Sequence, residues 1–205
     1  MSGITQALFM SASAPITFTY VASSAVTAAS ISVPSGSQAG DLLVLWDRPI
    51  DTSVTIPTQF TLIGSVSTAA SDFYTLGMGY RVMQSGDSSF TSASSRKILS
   101  AFRPSRAISL VSVLNYTTNN TGANSKSISV NGAGADSISF TALTHSTGTT
   151  DQTPSANSTL TSSFHLASGD LFLGSYYGIN ANITLSATDS VGGGMLLAGF
   201  TLEAS

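Results

Sequence analysis

The 205-residue chain is predicted to be all-β, an antiparallel β-sandwich of jelly-roll-like build, and three observations predict it. Apolar and polar residues alternate at period two along many short segments, the pattern of strands with one face buried. Clusters of Gly, Ser, Asn and Asp punctuate these segments at the close intervals that sandwiches and jelly rolls require. Polarity is carried by hydroxyls: charged residues make up 8% of the chain, about a third of the ordinary quarter. Thr fits a pleated surface and Ser competes for its own backbone in helices. Helix formers are scarce, since Glu203 is the sole glutamate and Lys97 and Lys126 are the sole lysines.

The clearest strand places Tyr74, Leu76, Met78, Tyr80 and Val82 on one face and Thr75, Gly77, Gly79 and Arg81 on the other. It is expected to be central, and its two glycines leave the second face open to close approach by another chain or backbone. Ile16, Phe18 and Tyr20 alternate with threonines. Further strands are expected at 26–33, 42–46, 60–66, 97–103, 107–116, 127–130, 137–142, 171–177, 182–187 and 195–202. Pro34-Ser35-Gly36, Ser85-Gly86-Asp87, Asn131-Gly132 and Gly192-Gly193-Gly194 are the turn signals between them. The segment Thr144 to Ser163 is the longest without strong periodicity and reads as an exposed loop. Gly40-Asp41-Leu42 and Gly169-Asp170-Leu171 echo each other, but turn chemistry alone generates such pairs.

The reading is one domain at 15–205 preceded by an arm at 1–14 that holds Ile4, Leu8, Phe9 and Met10 without a charge or a turn signal. Such an arm has little reason to fold alone, and leaving a large apolar side chain in water forfeits roughly 1.5–3 kcal/mol. It can add a strand to its own sandwich or lie on a neighbouring subunit. With no basic n-region or long apolar core it makes a poor signal peptide, which points to synthesis in a cytoplasm. No stretch approaches the roughly 20 apolar residues of a membrane helix, so no membrane partner is expected.

The net charge of −3 and the pI near 5.0 give no attraction to nucleic acid or anionic lipid. So poorly charged a chain lacks the repulsion that keeps free domains apart, which argues for life inside an assembly and for a homo-oligomer. The absence of cysteine excludes disulfides, thiolate zinc sites and thiol nucleophiles.

No catalytic set emerges. His145 and His165 have no second histidine or carboxylate at ligand spacing, so no metal or other cofactor is expected. Loop carbonyls with Asp136 or Asp151 would suit Ca²⁺ without demanding it. A glycosidase needs two carboxylates across the scissile bond. Of the clustered Asp41, Asp47, Asp51 and Asp72, the first two flank Leu42 to Trp46 and read as turn residues. No Gly-x-Ser-x-Gly elbow or phosphate loop occurs. Arg81, Arg96, Lys97, Arg103 and Arg106 crowd one region, which fits either contact with an acidic partner or a solvated strand edge. Trp46 ends an apolar strand and reads as a core anchor. Tyr176 and Tyr177 should place one ring on each face of their strand, with at least one exposed or facing a partner. Four Asn-x-Thr sequons, at Asn115, Asn119, Asn157 and Asn182, are what so Thr-rich a chain produces by chance.

The stretch from Val33-Pro34 through Gly40-Asp41-Leu42-Leu43-Val44-Leu45-Trp46 is followed by Ile56-Pro57, Phe60-Thr61-Leu62-Ile63-Gly64, Tyr80-Arg81-Val82-Met83 and Ala101-Phe102-Arg103. With Ser112 to Tyr116 and Gly193 to Phe200, it resembles a pattern of small structural proteins of tailed bacteriophages. Gln59-Phe60 departs from that pattern, which would have Gly-Trp. The resemblance implies a β-sandwich module on the outside of a virion, as capsid decoration or as part of a tail or fibre. Its partners would be other virion proteins, and no catalytic residues carry over. Contacts are then expected at Ile4, Leu8, Phe9, Met10, Arg96, Lys97, Arg103 and Arg106. The alternative is a carbohydrate-binding adhesin module that holds a host glycan through Tyr176 or Tyr177.

Overall fold

The computed structural model describes residues 14–49, 54, 56–67, 75–109, 111–119, 125–132, 134–145, 150–154, 157–165, 172–189 and 195–205. All regular structure among them is strand. In chain order these are β1 (Phe18–Ser32), β2 (Leu42–Pro49), β3 (Thr61–Ser67), β4 (Thr75–Val82), β5 (Ser89–Pro104), β6 (Val111–Asn119) and β7 (Ser125–Val130). There follow β8 (Ser137–His145), β9 (Thr150–Pro154), β10 (Thr159–His165), β11 (Phe172–Ile179), β12 (Ile183–Asp189) and β13 (Met195–Ala204).

They form three antiparallel sheets. Sheet I has the order β1-β5-β2-β4-β3, sheet II the order β10-β11-β8-β13-β6, and sheet III the order β7-β12-β9. Sheets I and II face each other over one core. Leu42, Val44, Trp46, Leu76, Met78, Ile98 and Phe102 come from one side, and Phe140, Ala142, Leu173, Ala198, Phe200 and Leu202 from the other. Trp46 sits with its ring 5.2 Å from that of Phe200, a core anchor at the centre of the sandwich. The all-β sandwich class is therefore the observed one.

Sheet II is covered on its other face as well, where Leu143, Tyr176, Met195 and Leu197 meet Ile128, Leu185 and Ala187 of sheet III. The outer face of sheet I carries Leu43, Leu45, Leu99 and Ala101, which pack with Ile31, Phe60, Met83 and Phe90. Two-sided burial explains why β2 reads as a continuous apolar run rather than an alternating one, and why β13 is buried along nearly its whole length.

β4 lies between β2 and β3. Leu76 and Met78 are fully buried in the main core with Tyr80 packed against it, while Val82 lies partly exposed at the strand end. Tyr74 lies outside the described residues. The close approach to the glycine face comes from the same chain, through side chains and, at Gly79, also through the backbone carbonyl of Thr61. A Cβ on Gly77 would overlap Val54, and one on Gly79 would stand 2.9 Å from Ile56 Cγ2.

Two expectations about elements are corrected. The segment from Thr144 to Ser163 is not one exposed loop: β8 continues to His145, β9 pairs with β12, and β10 pairs with β11. Asp47 is not a turn residue but an interior position of β2, opposite Gly77 on one side and Lys97 on the other. Asp41 does belong to a turn. It accepts from the Gln38 N–H at 2.9 Å, and Gly40 before it has φ of 93°, a conformation that favours glycine.

Candidate functional site

Natural sheets usually protect their edges with charge, proline or short strands, because an edge offers unpaired N–H and C=O groups to any extended chain. Sheets I and II distribute their charges the other way. The edge strands of sheets I and II are β1, β3, β6 and β10, and none of the four contains Asp, Glu, Lys or Arg. The charged residues of these sheets lie on interior strands instead: Asp47 and Arg48 on β2, Arg81 on β4, Arg96, Lys97 and Arg103 on β5, and Glu203 on β13.

The exposed large apolar side chains follow the same edges. Among the described residues they are Leu62 at 58%, Val113 at 41%, Leu114 at 38%, Tyr116 at 42% and Leu160 at 49% exposure. Leu62 is on β3, the next three are on β6, and Leu160 is on β10. β3 and β6 lie side by side at one side of the sandwich; three of the five cluster on β6, while Leu62 faces the outer side of sheet I with Ile56 and Phe60.

Bulges shape that side. The register of β3 against β4 slips between Leu62 and Gly64, which makes Ile63 the extra residue: it turns toward the core and leaves Leu62 outside. The register of β6 against β13 slips at Leu114, opposite Thr201 and Leu202, so Val113 and Leu114 are exposed in succession. An inserted residue of this kind re-aims its side chain and bends the strand.

The two edges are joined by tyrosine. Tyr116 lays its ring on Gly64, where a Cβ would come within 2.8 Å of Cζ, and donates its hydroxyl to Ser65 O at 3.0 Å. Partial burial raises the Tyr116 pKa above its ordinary value. Tyr80 donates to Val111 O at 3.0 Å. Leu62 also forms the lip of a groove of about 480 Å³ floored by Val54, Ile56 and Phe60. Among the described residues no strand pairs with the outer edge of β6, and an apolar, uncharged surface of this kind suits an extended, uncharged segment of protein.

The predicted basic contact does not hold together as one surface. β5 is an interior strand, so its charges do not guard an edge. Lys97 is a buried residue with no side-chain exposure, which corrects its assignment as a partner contact. Its Nζ donates to Ala28 O and Ala93 O, both at 2.8 Å, and to Ser95 Oγ, and lies 3.9 Å from Asp47 Oδ1. Ser95 in turn donates to Asp47 Oδ1. Desolvation raises the Asp47 pKa against the opposing pull of Ser95 and Lys97, and lowers that of Lys97 against the pull of Asp47.

Arg96 is partly buried beside Lys97. Arg103, at the far end of β5, is held by buried Asp41 through two hydrogen bonds of 3.0 Å. Arg106 is exposed and lines a small cleft with Arg103. Along β5, Lys97 and Arg103 stand about 20 Å apart at strand rise. Arg81 binds Asp87 at 2.8 Å elsewhere.

Neither candidate glycan contact offers an open ring. Tyr176 is 8% exposed, between sheets II and III. Tyr177 is packed against the main core, stacked on Tyr20 at 5.6 Å and edge-on to Phe102 at 5.0 Å. Both faces of β11 are covered, so the alternation that should have exposed one tyrosine leaves each against a core. Ile4, Leu8, Phe9 and Met10 lie outside the described residues. Among the described residues no group of three His, Asp or Glu side chains converges.

The β3/β6 corner was missed in the sequence because which strands become edges is decided by pairing. Its one sequence signal is the uncharged apolar run Val113-Leu114 beside Tyr116. No family model, curated protein or solved structure matches the chain.

Proposed function

We propose that this chain is a structural component of a tailed-bacteriophage virion, exposed on the particle surface as capsid decoration or as part of a tail or fibre, and that it acts by protein–protein assembly. The observation that carries the assembly half of this reading is the coincidence of exposed apolar side chains with uncharged edge strands. A free monomer with such edges would be prone to pair with whatever strand it met; a subunit whose edges are covered by neighbours would not. The virion half rests on the similarity of the segments from Val33 to Arg103 to phage structural proteins. The partners are then other virion proteins and further copies of the chain.

Mass spectrometry of purified particles, with copy number per virion, tests this reading. Hundreds of copies would mean capsid decoration and a few would mean a tail or fibre part. Absence from particles made in cells that synthesise the chain would end the proposal.

A further inference from the structure

We infer that the β6 edge is a two-fold interface, on which β6 of a second copy pairs antiparallel and joins two copies of sheet II into one continuous sheet. This rests on the reading of the chain as an assembly component and names the first partner it meets.

The choice of a second copy follows from the chemistry of the corner. β6 runs nine residues, Val111 to Asn119, without a charge, a length of about 30 Å at strand rise. Among the described residues no strand pairs with its outer backbone edge, and its exposed Val113, Leu114 and Tyr116 need apolar cover. A charged segment would have to leave its own ions desolvated or unpaired against this surface. β6 of another copy brings none, and a two-fold axis presents the same patch to itself.

Pairing through that axis sets Val113, Leu114 and Tyr116 against the same residues of the other copy. The opposite edge of sheet II is β10, where Leu160 is the exposed large apolar side chain among those described. Counted over the residues whose side chains are described, a head-to-tail joint of β6 on β10 would match three apolar side chains with one. The two-fold joint matches three with three, and buried apolar area is what drives such association.

The chain contains no cysteine, so a cysteine introduced singly can form a disulfide only with its own copy. Single-cysteine variants placed in turn from Ser112→Cys to Thr118→Cys along β6, with Thr159→Cys on β10 as control, are oxidised at low protein concentration. Sedimentation velocity on the unaltered full chain is run beside them. The expected results are a dimer in solution, cross-linking that peaks at one position of β6, and none through residue 159.

The pair Val113→Lys with Leu114→Lys, both exposed in the fold, should sediment as a monomer that still unfolds in one cooperative transition, its melting temperature lower only by what the dimer contributed. A wild-type monomer at every concentration up to the solubility limit would overturn the interface. So would cross-linking through residue 159, or a dimer that survives the two lysines. A monomer that is nevertheless found in particles sinks this interface and leaves the proposed function; a dimer absent from particles does the reverse.

Discussion

Replacing Lys97 by methionine tests the buried ion pair at the heart of sheet I. The substitution keeps most of the side-chain volume but removes the ammonium that stands 3.9 Å from Asp47 Oδ1. The carboxylate is left with Ser95 as donor on Oδ1, and Oδ2 has no hydrogen-bond partner among the described residues. Removing one partner of a buried pair costs about 3–5 kcal/mol. Asp47→Leu should fall at the lower end, about 3 kcal/mol, because Ala28 O, Ala93 O and Ser95 Oγ still hold the ammonium. The double variant leaves no uncompensated charge and should lie near the wild type or above it, so the two losses will not add.

Urea titrations of the four proteins at neutral pH give the cycle. The pH dependence has a definite sign. Burial raises the Asp47 pKa above its ordinary 3.8, so the folded state holds a proton that the unfolded state has released. That stabilisation is present below 3.8 and is lost as pH rises through the folded value. In Lys97→Met the opposing pull of the ammonium is gone, so the penalty should be visibly smaller near the acid end of that window than at neutral pH. Single losses under about 1 kcal/mol, or a double loss equal to their sum, would refute the reasoning.

Met78→Ala, at a fully buried site facing sheet II, should cost about 2–5 kcal/mol in the same titration, and a loss near zero would mean the wrong face of β4. Gly77→Val places a side chain where Val54 already sits and should cost about 1–3 kcal/mol; a neutral result would show that the segment carrying Val54 moves aside freely. Deletion of residues 1–14 stops short of Ile16, which is buried in the main core, so the truncated chain should keep its melting temperature while losing incorporation into particles. Outright unfolding would assign the arm to its own core.

Strands whose burial is intrinsic to their residues were legible in the sequence. β2, β4 and β13 carry dense apolar runs or clean alternation, and their places in the core follow from that pattern. β9, with Thr150-Asp151-Gln152-Thr153-Pro154, and β10, with Thr159 to His165, hold too few apolar residues for a period to appear. They are strands because β12 and β11 offer them edges, a non-local cause. β1 runs unbroken through Ala22-Ser23-Ser24-Ala25 for a similar reason, since β5 pairs with it along nearly its full length.

The basic residues were misread for want of topology. Nothing in Arg96-Lys97 says that β1 and β2 will enclose β5 and bury Lys97 against Asp47, fifty positions earlier in the chain. The bulges at Ile63 and Leu114 break alternation at the positions that create the exposed corner, and a period-two reading has no means to anticipate an extra residue.

The measurement that bears most directly on assembly through uncharged edges is amide hydrogen exchange, compared between the free chain at low concentration and the chain within purified particles. Slowed exchange concentrated in β3 and β6, around Leu62 and Val113 to Tyr116, is the predicted result. Unchanged exchange along both strands, with new protection confined to the Arg103 and Arg106 surface or found nowhere, would contradict it.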